Sequence, residues 1–179
     1  MKNLFCFFIH FLSFILFSQE KSGLWQQKVD YKMVIDVDVE NHTYKGTQNL
    51  VYTNNSPDDL DRVFYHLYFN AFKPGTDLEQ NSRYSNDDSR SMSKNILMLD
   101  EKDWGDVKIN WMLQDGEPVE FNVEETILEV NLAKPIGAGK STTLEMDFFI
   151  QTPAMIRRSG KNSEDNVAFS MSQWYPKLC

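Results

Sequence analysis

Hydrophobic and polar residues alternate along much of this chain with the two-residue period of a half-buried strand. Val29, Tyr31, Met33, Ile35, Val37 and Val39 share one face, and Lys28, Asp30, Lys32, Asp36, Asp38 and Glu40 share the other, with only Val34 out of pattern. Alternation of this length predicts a sheet with one buried and one wet face. Asn41-His42 reads as a turn, and residues 44–53 as a second strand that gathers Tyr44, Gly46, Gln48, Leu50 and Tyr52 on one side. The pair predicts a long antiparallel hairpin, closed by the turn-forming run Asn54-Asn55-Ser56-Pro57-Asp58-Asp59. Residues 63–69 are apolar on both faces, as in a central strand. Residues 70–95 are polar, rich in Ser, Asp and Asn and without period, and read as a long loop.

Strand signals resume beyond it. Val107, Ile109, Trp111 and Leu113 alternate up to the turn Asp115-Gly116, and Val119, Phe121 and Val123 follow Pro118. Two further strands cover residues 126–132 and 144–150, separated by the loop Lys134-Pro135-Ile136-Gly137-Ala138-Gly139. No stretch sustains a helical period, and β-branched and aromatic residues dominate the runs. The fold class is therefore all-β: a mostly antiparallel sandwich or open, saddle-shaped sheet.

The first residues change the picture of where this domain works. Lys2 precedes an apolar run over residues 4–17, and Ser18 offers a small residue for cleavage. This reads as an export signal, residues 1–18, followed by a linker, 19–23, and a β-domain, 24–179. A signal anchor is the competing reading, although the run is shorter than the roughly 20 residues a membrane span needs. After cleavage no membrane span remains, and the expected address is periplasmic, cell-surface or secreted. Removing Lys2 moves the formal charge from -8 to -9. An acidic balance argues against nucleic acid as a partner, since that association depends on clustered Lys and Arg. Cys6 leaves with the signal, so Cys179 has no internal partner.

The motifs that invite a chemical reading are weak. Gly137-Ala138-Gly139-Lys140-Ser141 looks like the end of a phosphate-binding loop, but Lys134 stands where the first glycine belongs and a strand follows in place of a helix. A hairpin loop with a solvated Lys140 is expected. His42 reads as an exposed turn residue and His66 as a packed, hydrogen-bonded histidine, and neither belongs to an H-E-x-x-H pair. Asp36, Asp38 and Glu40 at i, i+2 spacing form the wet face of a strand, and Asp100-Glu101-Lys102-Asp103 reads as a solvated turn. No catalytic residue and no metal ligand is assigned.

Several short stretches, in order, carry a resemblance. They include Trp25-Gln26-Gln27-Lys28-Val29-Asp30-Tyr31, Tyr44-Lys45-Gly46-Thr47-Gln48 and Phe64-Tyr65-His66-Leu67-Tyr68-Phe69-Asn70. Met171-Ser172-Gln173-Trp174-Tyr175-Pro176-Lys177 completes the set. Together they resemble the N-terminal domain of secreted bacterial metallopeptidases of the aminopeptidase N family, the zinc gluzincins. The resemblance implies a saddle-shaped β-domain incomplete at its C-terminal end. Its partner would be a catalytic domain in cis, which holds zinc through H-E-x-x-H and a downstream Glu and acts on a peptide substrate. It also implies that Gln173, ahead of Trp174-Tyr175-Pro176, contacts substrate, although the Arg that many members carry between Gln and Pro is absent. A strand-end Gln bonded to backbone is the competing role.

Three functions follow as expectations. The first is the accessory, catalytically inactive front part of a zinc aminopeptidase, with Trp174-Tyr175-Pro176 needing cover that the chain itself does not supply. The second is a non-catalytic secreted β-sandwich binding module. The third is a domain that docks on a separately encoded peptidase.

Overall fold

A computed structural model describes residues 25–84, 96–154, 159–162 and 167–179. The expected signal and linker lie outside them. The opening hairpin is β1 (Lys28–Asp38) and β2 (Thr43–Thr53), paired in full antiparallel register from Lys28↔Thr53 to Asp38↔Thr43. Tyr44, Gly46, Gln48, Leu50 and Tyr52 are all buried, as their spacing requires. On β1 the inward face holds only for Val29, Tyr31, Met33 and Ile35. Val37 and Val39 are exposed, because this edge strand outruns the core. In the connecting turn His42 takes a left-handed φ of 53°. The Asp38 carboxylate accepts from both the Asn41 side chain and its backbone N–H, which holds it below the usual carboxylate range.

The chain continues with β3 (Leu60–His66), β4 (Asp106–Gln114), the two-residue β5 (Glu117–Pro118), β6 (Glu120–Glu124), β7 (Ile127–Ile136) and β8 (Ser141–Gln151). Three short ones follow: β9 (Gly160–Lys161), β10 (Phe169–Ser170) and β11 (Lys177–Leu178). They form a five-stranded sheet in the order β1-β2-β8-β4-β5 and a four-stranded sheet in the order β11-β3-β7-β6, with β9 and β10 as a separate ribbon. All the strand pairings are antiparallel, and inward residues of both sheets make one core that includes Tyr44, Leu50, Phe148, Ile150, Tyr65 and Leu128. This is the expected all-β sandwich of open sheets.

Four further expectations need correction. The strand read over residues 63–69 stops at His66, Phe64 stays 39% exposed, and Tyr68–Ala71 forms a 3-10 turn. β7 continues through Lys134, Pro135 and Ile136, which shortens the expected loop to residues 137–140. The polar stretch 70–95 is no uniform loop, because Asp77–Arg83 forms helix α1. Thr76 caps α1 by accepting from the Glu79 N–H, and the Glu79 carboxylate, itself fully buried, reaches back to the Gly75 N–H. Arg83 grips Glu79 with two donors at 2.5 and 2.8 Å, which holds that carboxyl below its ordinary range. Residues 85–95 of that stretch lie outside the described residues.

The fourth correction is a β-bulge. Ile109 pairs with Phe148 but Trp111 pairs with Asp147, so Asn110 is an extra residue in β4. A bulge reverses which face the following residues meet. Met112 and Gln114 therefore turn into the core, and Trp111, expected beside Ile109, is put out to solvent at 43% exposure.

Buried amides bridge the two sheets. Asn70 accepts from the Val107 N–H at 2.7 Å and donates to the Glu125 carbonyl at 2.9 Å. Gln114 bonds both the N–H and the carbonyl of Lys134, and Asn54 donates to the Ile136 carbonyl. Backbone also comes close: a Cβ on Gly105 would lie 2.1 Å from the Phe69 carbonyl oxygen. Gly105→Ala should lower stability by roughly 2–3 kcal/mol, as overpacking does. Gly137→Ala, whose nearest contact would be the Lys140 side chain at 3.4 Å, should stay within about 0.5 kcal/mol. Urea midpoints of the two variants check this, and equal midpoints would contradict it.

Candidate functional site

Gln173 sits at a bend between β10 and β11, and both flanks of that bend are fastened. Upstream, the Ser159 hydroxyl donates to the Ser172 carbonyl at 2.5 Å and accepts from the Ser172 N–H at 3.0 Å. Downstream, the Tyr44 hydroxyl donates to the Trp174 carbonyl. Gln48 Nε2 donates to the Pro176 carbonyl at 2.9 Å, and the Leu178 N–H donates to the Tyr31 hydroxyl at 2.9 Å. β11 then joins the second sheet, with Leu178 opposite Tyr65 and the Cys179 N–H bonded to the Phe64 carbonyl.

The rings follow the same course. Trp174 meets Tyr44 edge-on at 5.8 Å and Tyr175 meets Tyr31 edge-on at 5.6 Å, favourable geometries for aromatic quadrupoles. Trp174 and Tyr175 are half-buried and Pro176 is buried. The expectation that this aromatic run lacks cover within the chain is therefore wrong. The inward faces of β1 and β2 supply it.

Gln173 itself is exposed, at a left-handed φ of 55°, and among the described residues no hydrogen bond holds its side chain. The competing role, a strand-end Gln bonded to backbone, has no such bond here. A primary amide offers two donors and one acceptor. Among the described residues this one is unengaged, on a bend hydrogen-bonded at both flanks.

The other singled-out residues serve the fold. The loop N–H groups of Ala138, Gly139 and Lys140 go to Asp59 Oδ1, the Asn54 carbonyl and the Gly137 carbonyl, so none is left to cradle a phosphate. Lys140 is exposed, as expected, but the loop closes no hairpin: it carries the chain from β7 in one sheet to β8 in the other. His66 is half-buried and stacks on Tyr68 at 5.0 Å, and His42 is half-buried against Phe169 at 5.1 Å where an exposed turn residue was expected. Asp103 is no solvated turn residue: it pairs at 3.1 Å with Lys161, a buried cation that the sequence reading missed. Lys161 also donates to the Lys102 carbonyl. Among the described residues no group of three or more His, Cys, Asp or Glu is placed to hold a metal ion, and no helix is long and apolar enough to cross a membrane.

No protein-family model matches the chain, and no curated protein matches it in sequence. Its fold does match solved structures of the M1 zinc metallopeptidase from Deinococcus radiodurans, both unmodified and as a mutant bound to a Tyr-Ser-Ala substrate. Each match has a TM-score of 0.50 at 14% identity over 82% of this chain. The chain spans only 26% of the length of those enzymes. Likeness at this identity defines a fold: a β-domain of the kind found as one part of a larger zinc metallopeptidase.

Burial of the phenols beneath the bend gives a pH test. Desolvation of the phenolate pushes Tyr44 and Tyr65 well above the ordinary value of 10.0. The folded state then keeps protons that the unfolded chain releases, so this stability is complete below pH 10 and falls as pH rises beyond it. The slope should reach about 1.4 kcal/mol per pH unit for each tyrosine. Tyr44→Phe should make the slope shallower, measured as urea midpoints against pH. An unchanged slope in that variant would contradict the assignment.

Proposed function

We propose that this chain is the N-terminal accessory domain of an exported zinc metallo-aminopeptidase, lining the substrate cleft of a catalytic domain that follows in the same polypeptide. The fold likeness to M1 zinc metallopeptidases and the export-type sequence over residues 1–18 support this reading. The observation that carries it is Gln173, an exposed amide with no hydrogen bond among the described residues, on a bend pinned by Ser159 on one side and Tyr44 on the other.

Zinc belongs to the catalytic domain in this reading, since the described residues here do not assemble a ligand set for it. The part played by this chain is to bind and to exclude. The β-domain closes one wall of the cleft, so that a peptide enters by its end. Gln173 then donates to or accepts from the substrate near its free amino terminus. A pre-fixed loop loses little freedom when it meets the substrate, so more of the hydrogen-bond energy appears as binding. The chain alone hydrolyses nothing.

A residue at φ 55° that is not glycine is strained, and this separates function from structure. Gln173→Gly in the full enzyme should raise stability by about 1 kcal/mol. At the same time kcat/KM on peptides should fall roughly ten- to hundredfold, the worth of a hydrogen bond to a charged group, with bound zinc unchanged. An unchanged kcat/KM for every side chain tried would overturn the reading.

A further inference from the structure

The bulge in β4 does more than rearrange the core: it puts an indole on the outer face of the five-stranded sheet. Across that face the register sets two neighbouring rows of side chains. Lys32, Asn49 and Glu145 lie side by side on β1, β2 and β8, and in the next row Val34, Thr47, Asp147 and Trp111 run from β1 to β4. The four strands span roughly 14 Å at the usual spacing. Between the rows lies a shallow hollow of about 420 Å³, lined by Lys32, Val34, Thr47, Asn49, Trp111 and Glu145. That size falls among known small-ligand clefts.

Its chemistry is specific. Trp111 is 43% exposed and Val34 67% exposed, so two apolar surfaces face water at opposite sides of the hollow. Among the described residues, no hydrogen bond or ion pair engages the side chains of Lys32, Thr47, Asn49 or Glu145. One side of the hollow therefore offers an aromatic face, and unengaged donors and acceptors extend from it across the sheet. A protein partner that covered it would strip water from an unpaired amine and carboxylate, which is costly, and interface cores are poor in such charges. Nucleic acid and anionic membranes are disfavoured by the net charge of -8. A sugar ring fits both halves, since one face of a pyranose is lined by C–H groups that lie on an indole while its hydroxyls bond at the rim. The acidic balance selects neutral sugars over anionic ones.

We propose that this hollow binds a neutral oligosaccharide, with one pyranose stacked on Trp111 and the following units bonded through their hydroxyls to Glu145, Asn49, Thr47 and Lys32. The site stands whether or not the peptidase reading holds. The test is calorimetric titration of the full chain with cellohexaose, xylohexaose, mannohexaose and chitohexaose. At least one should bind in a one-to-one complex, and Trp111→Ala should weaken it by about tenfold or more while Trp111→Tyr retains most of the affinity. Circular dichroism should show both variants folded. Should Trp111→Ala unfold, Asn49→Ala, at an exposed position, should weaken the same sugar severalfold. Failure of all four sugars to bind would overturn the proposal, as would affinity that survives these substitutions. Self-association that Trp111→Ala abolishes, with no sugar bound, would overturn it in favour of a second copy of the chain.

Discussion

Everything at one side of this sandwich depends on a short peptide, Trp174 to Leu178, bonded to both sheets at once. β1 and β2 turn Tyr31, Tyr44 and Gln48 inward, and each brings a polar group that must find a partner away from water. The peptide supplies them from its backbone: the Trp174 carbonyl for Tyr44, the Pro176 carbonyl for Gln48 and the Leu178 N–H for Tyr31. In return three groups of its own irregular backbone, which Pro176 keeps from ordinary ladder pairing, are satisfied. Each bond is worth about 1 kcal/mol net, but breaking one strands its partner in the interior at a cost of about 1–3 kcal/mol. The last strand then joins β3, so the peptide fastens one sheet to the other.

That fastening gives Gln173 its meaning. An exposed glutamine on a loose loop would say nothing. This one is held between a serine–serine contact and the Tyr44 bond, at a backbone angle that favours glycine, with its amide unengaged among the described residues. The same sheet that grips the peptide on its inner face carries the Trp111 hollow on its outer face. One scaffold thus presents two surfaces that chemistry distinguishes: a single pinned amide, and an aromatic plate beside a row of polar groups.

Much of the fold was legible because period-two alternation is a local signal. The whole inward face of β2, the β1–β2 hairpin and the Asp115-Gly116 turn follow from neighbouring residues alone. The α1 helix also had a local sign that periodicity hid: Thr76 and Glu79 stand at capping-box spacing, with Arg83 four residues beyond Glu79. At seven residues α1 is too short to show a helical period. Other features had no local sign. Nothing near Asn110 announces that β4 carries one residue too many, because a bulge is defined by the partner strand. The cover over Trp174 comes from Tyr44, 130 residues earlier in the chain, and the partner of Lys161 is Asp103. As for the site, Gln173 came from family resemblance, and the hollow from the bulge.

The central claim is that this β-domain serves a zinc aminopeptidase, and the coding sequence beyond the Cys179 codon tests it most directly. The account predicts an open frame that continues into a domain with H-E-x-x-H and a downstream Glu. A stop codon at that point, or a following domain with no such ligand set, would contradict it.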